Sequence, residues 1–385
     1  MSNSSLSRRE FLRLAALFGT GFAATAFLNA CAPSPTSAPP APTAALTAAP
    51  PQAATTAPTT VPTVVKLDEV SITYLPLIIM AHVFVAEELG FFKDQGIKTT
   101  FKNINLYTVL PEIAKGGEDT GIMATSAAFF NAILSGLDVK SVADRLRYQC
   151  SSDNHLVVRK ALMDSGEVKQ FSDLKGKTIS ILAKGSATEY WQSILMRQNK
   201  MTSADFKNIV ILGYPDALTG MKTGAIDAVY LAEPTLTQAI DDGTARDFIP
   251  VYKVVPGWQA GQIIFSGKLI RERTDVAQRF IYAYLQGVRY YLDPVNKDKV
   301  KEVVAKWTQV DARLIDKMYG GDSWPWMDPN GDILAQKMVD EDGQWMLEQK
   351  LVDKVPTVSD FYDDRFVKQA VQKLGRVDVG SRVCP

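Results

Sequence analysis

The chain has 385 residues with 42 basic and 42 acidic side chains, so its formal net charge is zero. The balanced charge, without a basic run in the mature part, argues against nucleic acid as a partner. With three cysteines and two histidines, the chain has almost nothing from which to build a zinc centre or a Cys/His nucleophile site. We therefore predict no metal site and no cofactor.

The first 30 residues are typical of an export signal. A twin-arginine pattern at 8–9 precedes the apolar stretch 14–27, which is too short and too rich in small residues for a comfortable membrane span. The tetrapeptide 28–31 resembles a bacterial lipobox and ends in Cys31. We predict that Cys31 carries lipid and anchors the protein to the outer face of the cell membrane. The alternative is an incidental cysteine after a plain signal.

Residues 31–65 follow as a second kind of segment, built almost entirely from Ala, Pro, Thr and Ser without charge. Such a stretch buries too little apolar surface to offset the cost of ordering, so we predict a disordered tether. The remaining part, from residue 66 onwards, has about 320 residues and exceeds the size at which a single core stops growing. Two lobes are therefore expected there.

The first folded unit reads as a strand, a loop and a helix. Residues 70–74 alternate and are β-branched, a proline then interrupts the strand, and residues 82–92 carry the apolar stripe of a helix. In open α/β sheets ligands bind at such carboxyl ends of strands. The alternative is an ordinary strand–helix unit without a ligand. The candidate ligand contacts in this unit are Tyr74, Leu75 and His82.

A second strand, 99–104, is followed by an expected loop that carries Asn105 and Tyr107. A short strand, 120–124, then opens into a helix at Thr125 and Ser126. A hydroxyl at a helix start caps free N–H groups, and the same groups can hold a ligand acceptor or an anion. Both interpretations stay open for these two residues.

The strand 179–181 is followed by a loop with Gly185 and Ser186, where Ser186 and the glutamate three residues later fit a capping box. Two further strands end near Tyr214 and near Tyr230, and Glu233 follows as a helix cap or a ligand acceptor. The aromatic candidates in this region either stack on a ligand or pack in the core. They are Tyr190, Trp191, Tyr214 and Tyr230.

The chain is expected to return to the first lobe at the strand 263–265, and Trp258 lies in the loop before it as an exposed stacking surface or an interlobe contact. Helices are predicted over 274–292, 297–307 and 332–347, covering the first lobe. Trp324 belongs to a Trp-Pro-Trp stretch that either roofs the cleft or packs on a helix. A disulfide between Cys150 and Cys384 would tie the C-terminal tail to the first lobe, and two independent thiols are the alternative.

Several of these stretches resemble the solute-binding proteins of the nitrate, taurine, sulfonate and thiamine-precursor group, the NMT1/THI5-like and SsuA-like family. The resemblance covers nearly all of the chain after the leader, to about residue 350. The stretches that carry it are Tyr74-Leu75-Pro76, Val85-Ala86, Gly90-Phe91-Phe92, Gly96-Ile97, Asp173–Lys177, Gly224–Ala228 and Glu233-Pro234.

The resemblance implies an α/β, two-lobed periplasmic-binding-protein fold of type II-like connectivity, with two hinge crossovers and a ligand cleft between the lobes. The expected division is 66–160 for the first part of lobe one, 161–258 for lobe two and 259–385 for the return to lobe one. It further implies a monomer that closes around a small molecule and delivers it to the permease and ATPase subunits of an ABC importer.

The candidate loops supply hydroxyls, amides and aromatic rings but no arginine. An uncharged aromatic cleft suits a planar heteroaromatic ligand, which within the resembled family means riboflavin or a thiamine-precursor pyrimidine. The runner-up is an aliphatic sulfonate, taurine or nitrate, which would favour arginine or helix N-termini at the cleft.

Two other classes of function compete. The resembled family includes a pyrimidine synthase of related architecture, but that enzyme relies on a cysteine-rich motif that this sequence lacks, so we predict no enzyme. A tethered sensor or adhesin that merely uses the fold is the third class.

Overall fold

The computed structural model describes residues 66–104 and 106–379. The predicted signal peptide, the predicted tether and three of the predicted functional positions, Cys31, Asn105 and Cys384, lie outside the described residues. No helix in the described ranges is long and apolar enough to cross a membrane.

Ten strands alternate with helices along the described chain, as the sequence pattern predicts for an α/β fold. Their bounds are β1 Asp68–Tyr74, β2 Ile97–Asn103, β3 Thr120–Ala124, β4 Val139–Tyr148, β5 Asn154–Arg159, β6 Thr178–Ile181, β7 Asn208–Ile211, β8 Ala228–Ala232, β9 Ala245–Pro250 and β10 Trp258–Ser266.

The helices lie between and after these strands. Their bounds are α1 Ala81–Glu88, α2 Phe91–Asp94, α3 Leu106–Ala114, α4 Ala127–Leu134, α5 Lys160–Asp164, α6 Ala187–Gln198, α7 Tyr214–Thr223, α8 Thr235–Asp241, α9 Val251–Val254, α10 Gly267–Glu272, α11 Thr274–Leu292, α12 Lys297–Thr308, α13 Ala312–Met318, α14 Ala335–Lys337, α15 Gln344–Glu348, α16 Val358–Phe361 and α17 Arg365–Leu374.

The strands form two five-stranded sheets, with the spatial orders β2-β1-β3-β10-β4 and β7-β6-β8-β5-β9. In the first sheet β1, β2 and β3 are parallel, and β10 runs antiparallel to both β3 and β4. In the second sheet β6, β7 and β8 are parallel, and β5 runs antiparallel to β8 and β9. The carboxyl ends of β1, β3 and β4 therefore meet at one edge, as do those of β6, β7 and β8.

Each sheet is the centre of a lobe, and the chain passes between the lobes twice, after β4 and before β10. The two-lobed α/β prediction is therefore confirmed. The first passage is earlier than the expected division at residue 160, because β5 already belongs to the second sheet. Sequence periodicity cannot assign a strand to a sheet, since pairing partners lie far away in the chain.

Helices α1, α11 and α12 cover one face of the first sheet, and the apolar stripe predicted for residues 274–292 faces it. Phe280, Tyr284 and Val288 are all buried, and Phe84 packs into the same core. Burial of an amphipathic face, rather than intrinsic helix propensity, supplies most of the stability of such a helix.

Three predictions of helices and loops outside the ligand site differ from the structure. The helix expected over 82–92 ends at Glu88, and α2 follows as a separate turn. The loop expected at Tyr107 is part of α3. The helix expected over 332–347 contains a π-helical segment, Met338–Gly343, and its Trp345 packs on Tyr190 of the second lobe, with ring centroids 5.1 Å apart. That helix therefore contacts both lobes instead of covering lobe one alone.

Candidate functional site

A cavity of about 360 Å³ lies between the lobes, where β3 and β6 end. We call it the interlobe cavity. The first lobe contributes the start of α4, and the second lobe contributes the loop between β6 and α6. The cavity thus brings together four of the residues that the sequence singled out as ligand contacts. Its lining residues are Ala124, Thr125, Ser126, Ala127, Ala128, Leu182, Ala183, Lys184, Gly185, Ser186 and Ala187.

The start of α4 has the cap that the sequence predicts. The Ser126 hydroxyl accepts a hydrogen bond from the Phe129 N–H at 3.3 Å. The Thr125 hydroxyl donates to the Gln259 carbonyl oxygen at 2.6 Å and ties β3 to β10. Both side chains are buried, so the scaffold holds this helix start rigidly at the cavity wall.

The start of α6 lacks the capping box that the sequence predicts. The Ser186 hydroxyl donates to the Ala183 carbonyl oxygen at 2.6 Å, and the helix has no side-chain cap. The Glu189 carboxylate instead accepts from the Gly185 N–H at 2.6 Å. The two side chains thus bond to the loop before the helix instead of to each other's backbone, and a pattern of residue types does not distinguish these arrangements. Within the described residues, the first-turn N–H groups of α6 therefore have no side-chain cap at the cavity.

Two helix starts and a lysine favour a negative group in the interlobe cavity, while the Glu189 carboxylate in the first turn of α6 offsets part of that positive charge. Two helix N-termini carry partial positive charge, and both α4 and α6 begin at the cavity wall. In the described lining of this cavity, Lys184 is the only charged residue, and its side chain is exposed. The remaining lining is mostly alanine and leucine, so a bound anion would be held by N–H groups and hydroxyls in a largely apolar surround.

The lobes approach each other closely beside this cavity. Gly185 has φ of +70°, and a Cβ built on it would lie 3.3 Å from the Cβ of Ala127 across the cleft. A side chain here would be strained by the backbone and would press on the opposite lobe. The structure therefore has the lobes in a closed arrangement at this point.

The loop after β1 places its predicted contacts away from the interlobe cavity. Tyr74 is half-buried and packs edge-on against Phe84 and Phe101, with ring centroids 5.8 and 5.4 Å away. Leu75 is likewise half-buried. Tyr107 lies in α3. Neither Tyr74 nor Leu75 is part of the cavity lining within the described chain.

His82 is fully buried between two rings of α11, 5.3 Å from the Tyr284 ring centroid and 6.3 Å from that of Tyr291. Neither of its ring nitrogens has a hydrogen-bond partner among the described residues. Burial lowers the pKa of His82 well below its usual value, and the positive charge of Arg145 lowers it further. His82 is therefore a neutral core residue in this arrangement.

Arg145 is a charged residue that sequence reasoning missed. It lies in β4 and is 2% exposed, and its Nε and Nη1 atoms have no hydrogen-bond partner in the described ranges. Burial lowers the pKa of Arg145, while the carboxylates of Asp153 and Asp144 favour its charge. The loops do lack arginine, but strand β4 buries this one in the first lobe beside Gly261 of β10. The sequence feature that could have identified Arg145 is the charged pair Asp144-Arg145 inside the stretch that forms the buried strand β4.

Four predicted stacking residues form an interior cluster instead of a cavity wall. Trp191 lies 5.6 Å from Tyr230 and 5.3 Å from Trp258 between ring centroids, and Tyr190 lies 6.3 Å from Trp258. All four are at most 5% exposed. Their burial corrects the expectation of an exposed Trp258, whose indole N–H donates to Asp342 at 2.6 Å from within β10.

A polar network occupies the first crossover between the lobes. The Tyr214 hydroxyl donates to the Asn154 amide oxygen at 2.9 Å, and the Asn154 amide nitrogen donates to the Tyr148 hydroxyl at 3.0 Å. That hydroxyl donates to Asp153 at 2.8 Å, and burial raises the pKa of Asp153. Tyr214 thus joins the second lobe to the crossover.

Glu233 is buried and caps α8, as the sequence favours. Its carboxylate accepts from the Thr237 hydroxyl at 2.7 Å and from the Thr237 N–H at 3.2 Å. Burial raises the pKa of Glu233, and the hydrogen bond from Ser323 opposes that rise. Because Ser323 belongs to the first lobe's C-terminal segment, Glu233 also contributes an interlobe contact.

Trp324 lies at a second cavity of about 550 Å³, near the first crossover. Its ring stacks on Tyr291, with centroids 5.8 Å apart and planes 9° apart. It therefore packs on α11, one of the two predicted alternatives. Cys150 lines the same cavity and is disulfide-bonded, while its predicted partner Cys384 is outside the described residues, so that pairing stays a prediction.

The comparisons with known proteins agree with this architecture. The profile of the NMT1/THI5-like family matches residues 79–296. No curated protein matches the chain in a sequence comparison.

Among solved structures, the periplasmic sulfonate-binding protein SsuA from Methylobacillus flagellatus is 20% identical with a TM-score of 0.65, covering 80% of this chain and 95% of its own. The periplasmic nitrate-binding protein NrtA from Synechocystis is 12% identical with a TM-score of 0.64, covering 80% and 90%. A DszB variant in complex with biphenyl-2-sulfinic acid is 14% identical with a TM-score of 0.58, covering 80% and 99%. The chain thus shares their fold.

Proposed function

Because the chain belongs to the NMT1/THI5-like family, we propose that it is an extracytoplasmic solute-binding protein of an ABC importer. It takes a small molecule between its two lobes, and closure of the lobes buries that molecule. The importer's permease, which works with an ATPase, then recognises the surface of the closed protein. Binding and release need no covalent chemistry.

The observation that carries the proposal is the interlobe cavity, in which the starts of α4 and α6 approach from opposite lobes. The α6 start has no side-chain cap, and Lys184 adds a positive charge beside it. A ligand with a negatively charged group would accept hydrogen bonds from these N–H groups and draw the two lobes together. The ligand class that this supports is a small oxyanion or organic acid.

The structural neighbours support the same class of ligand. SsuA is described as sulfonate-binding, NrtA as nitrate-binding, and the DszB variant is in complex with a sulfinic acid. All three ligands carry an oxyanion group. We therefore place an aliphatic sulfonate, taurine or nitrate ahead of an uncharged ring as the ligand type.

A planar heteroaromatic ligand, such as riboflavin or a pyrimidine precursor of thiamine, is the second candidate. Its supporting observation is that the Trp191 indole N–H and the Gln192 amide nitrogen are buried without partners among the described residues. A buried donor without a partner costs about 1–3 kcal/mol, so an acceptor on a ring between opened lobes would be favoured there.

Catalysis is not part of the proposal. The hydroxyls that line the interlobe cavity are Thr125, Ser126 and Ser186, and the described lining includes no histidine or carboxylate to act as a base for them. We further propose that the lipid on Cys31 holds the protein at the outer face of the membrane, as a monomer beside its permease.

The test is a ligand panel on the full chain purified in detergent, followed by thermal shift and by the fluorescence of its six tryptophans. The panel contains taurine, an alkanesulfonate, nitrate, riboflavin and hydroxymethylpyrimidine. A ligand at a hundred times its dissociation constant adds about 2.7 kcal/mol of stability, which a thermal shift detects.

We expect a shift with a sulfonate, taurine or nitrate, and a weaker response in a Lys184→Gln variant. A shift only with riboflavin or the pyrimidine would replace the anion assignment with the heteroaromatic one and leave the solute-binding role intact. A panel without any shift, extended to other organic acids without success, would contradict solute binding at this cavity.

A further inference from the structure

His155, one of the two histidines in the chain, lies where the two lobes touch. It belongs to β5, and its side chain is 2% exposed. Its Nδ1 lies 2.9 Å from a carboxylate oxygen of Asp247 in β9. Its Nε2 is buried and has no hydrogen-bond partner of good geometry among the described residues, although His155 also interacts weakly with the backbone of Asp322. A buried imidazole with an unpartnered nitrogen beside a carboxylate is an incomplete polar site.

A second carboxylate approaches the same imidazole from the other lobe. Asp322 lies in the segment 319–326, which we call the tryptophan loop, between α13 and α14. One ring nitrogen of His155, one oxygen of Asp247 and one oxygen of Asp322 all lie within 4.8 Å of one another. Both aspartates are exposed, so an ion could reach the cluster from solvent.

The tryptophan loop is held by the first lobe. The Tyr291 hydroxyl donates to the Pro325 carbonyl oxygen at 2.8 Å, and the Arg147 N–H of β4 donates to the Trp326 carbonyl oxygen at 3.0 Å. The loop also touches the first crossover, where the Ser152 N–H donates to the Asp322 carbonyl oxygen at 2.8 Å. Hydrogen bonds thus hold the backbone at Asp322, while His155 and Asp247 lie on neighbouring strands of the second sheet.

We propose that His155, Asp247 and Asp322 form a divalent transition-metal site of the zinc class that bridges the two lobes. An imidazole nitrogen with two carboxylate oxygens is a ligand set that Zn²⁺ accepts, with water in the remaining position. The nitrogen ligand disfavours Mg²⁺ and Ca²⁺, which prefer oxygen. Two carboxylates also balance the charge of the ion.

The bridging position gives the site a consequence for closure. Because Asp322 comes from the first lobe and the other two ligands from the second, the bound ion holds the lobes in the closed arrangement. The zinc site itself does not rest on the proposed solute-binding function, since its ligands are not among the residues that line the interlobe cavity.

The experiment uses the untagged full chain in detergent, stripped with EDTA and desalted, without reductant. Isothermal titration with ZnCl₂ is expected to give one saturable site per chain, and a thermal shift is expected with Zn²⁺ and not with Mg²⁺. Co²⁺ in place of Zn²⁺ should give visible d–d absorbance that identifies nitrogen and oxygen ligation at a low coordination number. His82 is buried in the first lobe and does not compete.

The variants Asp322→Asn and Asp247→Asn are expected to weaken Zn²⁺ binding at least about tenfold. Both positions are exposed, so circular dichroism should show intact folds. The matched control is Asp94→Asn, which changes an exposed carboxylate of the first lobe away from the cluster and should leave binding unchanged.

Absence of saturable Zn²⁺ binding would overturn the proposal, leaving an ion pair of His155 with its two aspartates. Binding that survives Asp322→Asn would equally overturn the bridging of the lobes. A failed ligand panel with intact Zn²⁺ binding would contradict the proposed solute and leave the metal site standing, so the two proposals fail separately.

Discussion

At Gly185, the methyl group of an alanine would press on the opposite lobe when the cleft is closed. The φ of +70° at Gly185 favours glycine, and Ala127 lies within 3.3 Å of its built Cβ. We expect Gly185→Ala to lower stability by about 1–2 kcal/mol through backbone strain. Overpacking at the closed interface should weaken ligand binding about fivefold or more. Thermal unfolding and ligand titration measure the two effects.

Gly176 provides the matched control for this variant. It has φ of +72°, yet a built Cβ would meet nothing within 4 Å. Gly176→Ala should therefore show the same loss of stability with unchanged ligand affinity. Equal affinities of the two variants would mean that the approach of Gly185 to Ala127 has no part in binding.

The raised pKa of Asp342 predicts that the stability of the protein depends on pH. Burial raises the pKa of the Asp342 carboxyl to about 7, and the Trp258 indole N–H only partly opposes this. Since the pKa in the unfolded chain is about 4, the folded state holds the proton more tightly. The contribution to stability is complete below about pH 4 and is lost as the pH rises to about 7.

We expect the free energy of unfolding to fall by on the order of 4 kcal/mol across this window because of Asp342. Asp342→Asn keeps an oxygen for the Trp258 N–H and removes the titration, so its urea-unfolding profile from pH 5 to 8 should be flatter. Asp340→Asn, an exposed neighbour, is the control. Parallel pH profiles of the wild type and Asp342→Asn would contradict the assignment.

At the start of helix α4, one residue both caps the helix and lines the interlobe cavity. Ser126 caps α4 at the interlobe cavity, and Ser266 caps α10 in the same way, accepting from the Leu269 N–H at 3.0 Å. Replacing either serine by alanine should cost about 1 kcal/mol of stability, because each loses one N-cap.

Only Ser126→Ala should weaken ligand binding, by about threefold to tenfold, because its hydroxyl lies at the cavity. Ser266→Ala should bind as the wild type does. Thermal unfolding with ligand titration checks both variants, and a similar loss of affinity in the two would indicate a general loss of stability instead of a contact at the α4 start.

Attachment to the membrane is a prediction for the whole molecule, and it rests on the sequence. An acyl chain contributes about 0.8 kcal/mol per buried methylene, so lipid on Cys31 should keep the protein in the membrane fraction after high-salt washing. Cys31→Ala should release it to the soluble fraction. Cys384→Ala is the control and should stay with the membrane; release of both or neither would contradict lipidation at Cys31.

The local sequence determined much of the architecture and part of the site. Periodicity and β-branched runs predict most strands, and hydroxyls and a glycine at expected helix starts identify Thr125-Ser126 and Gly185-Ser186 as candidate ligand contacts, which the structure brings to one cavity. These features depend on neighbours two to four residues apart, which a sequence displays directly. The same local logic correctly favoured Glu233 as a helix cap.

Only the tertiary structure decided which side chains face the cleft. Trp191 packs on both Tyr230 and Trp258, although 39 residues or more separate it from them in the chain. His155 likewise acquires its charged neighbours, Asp247 and Asp322, from a distant strand and a distant loop. Burial and electrostatic partners are set by long-range packing, and a single sequence records composition along the chain but not proximity in space.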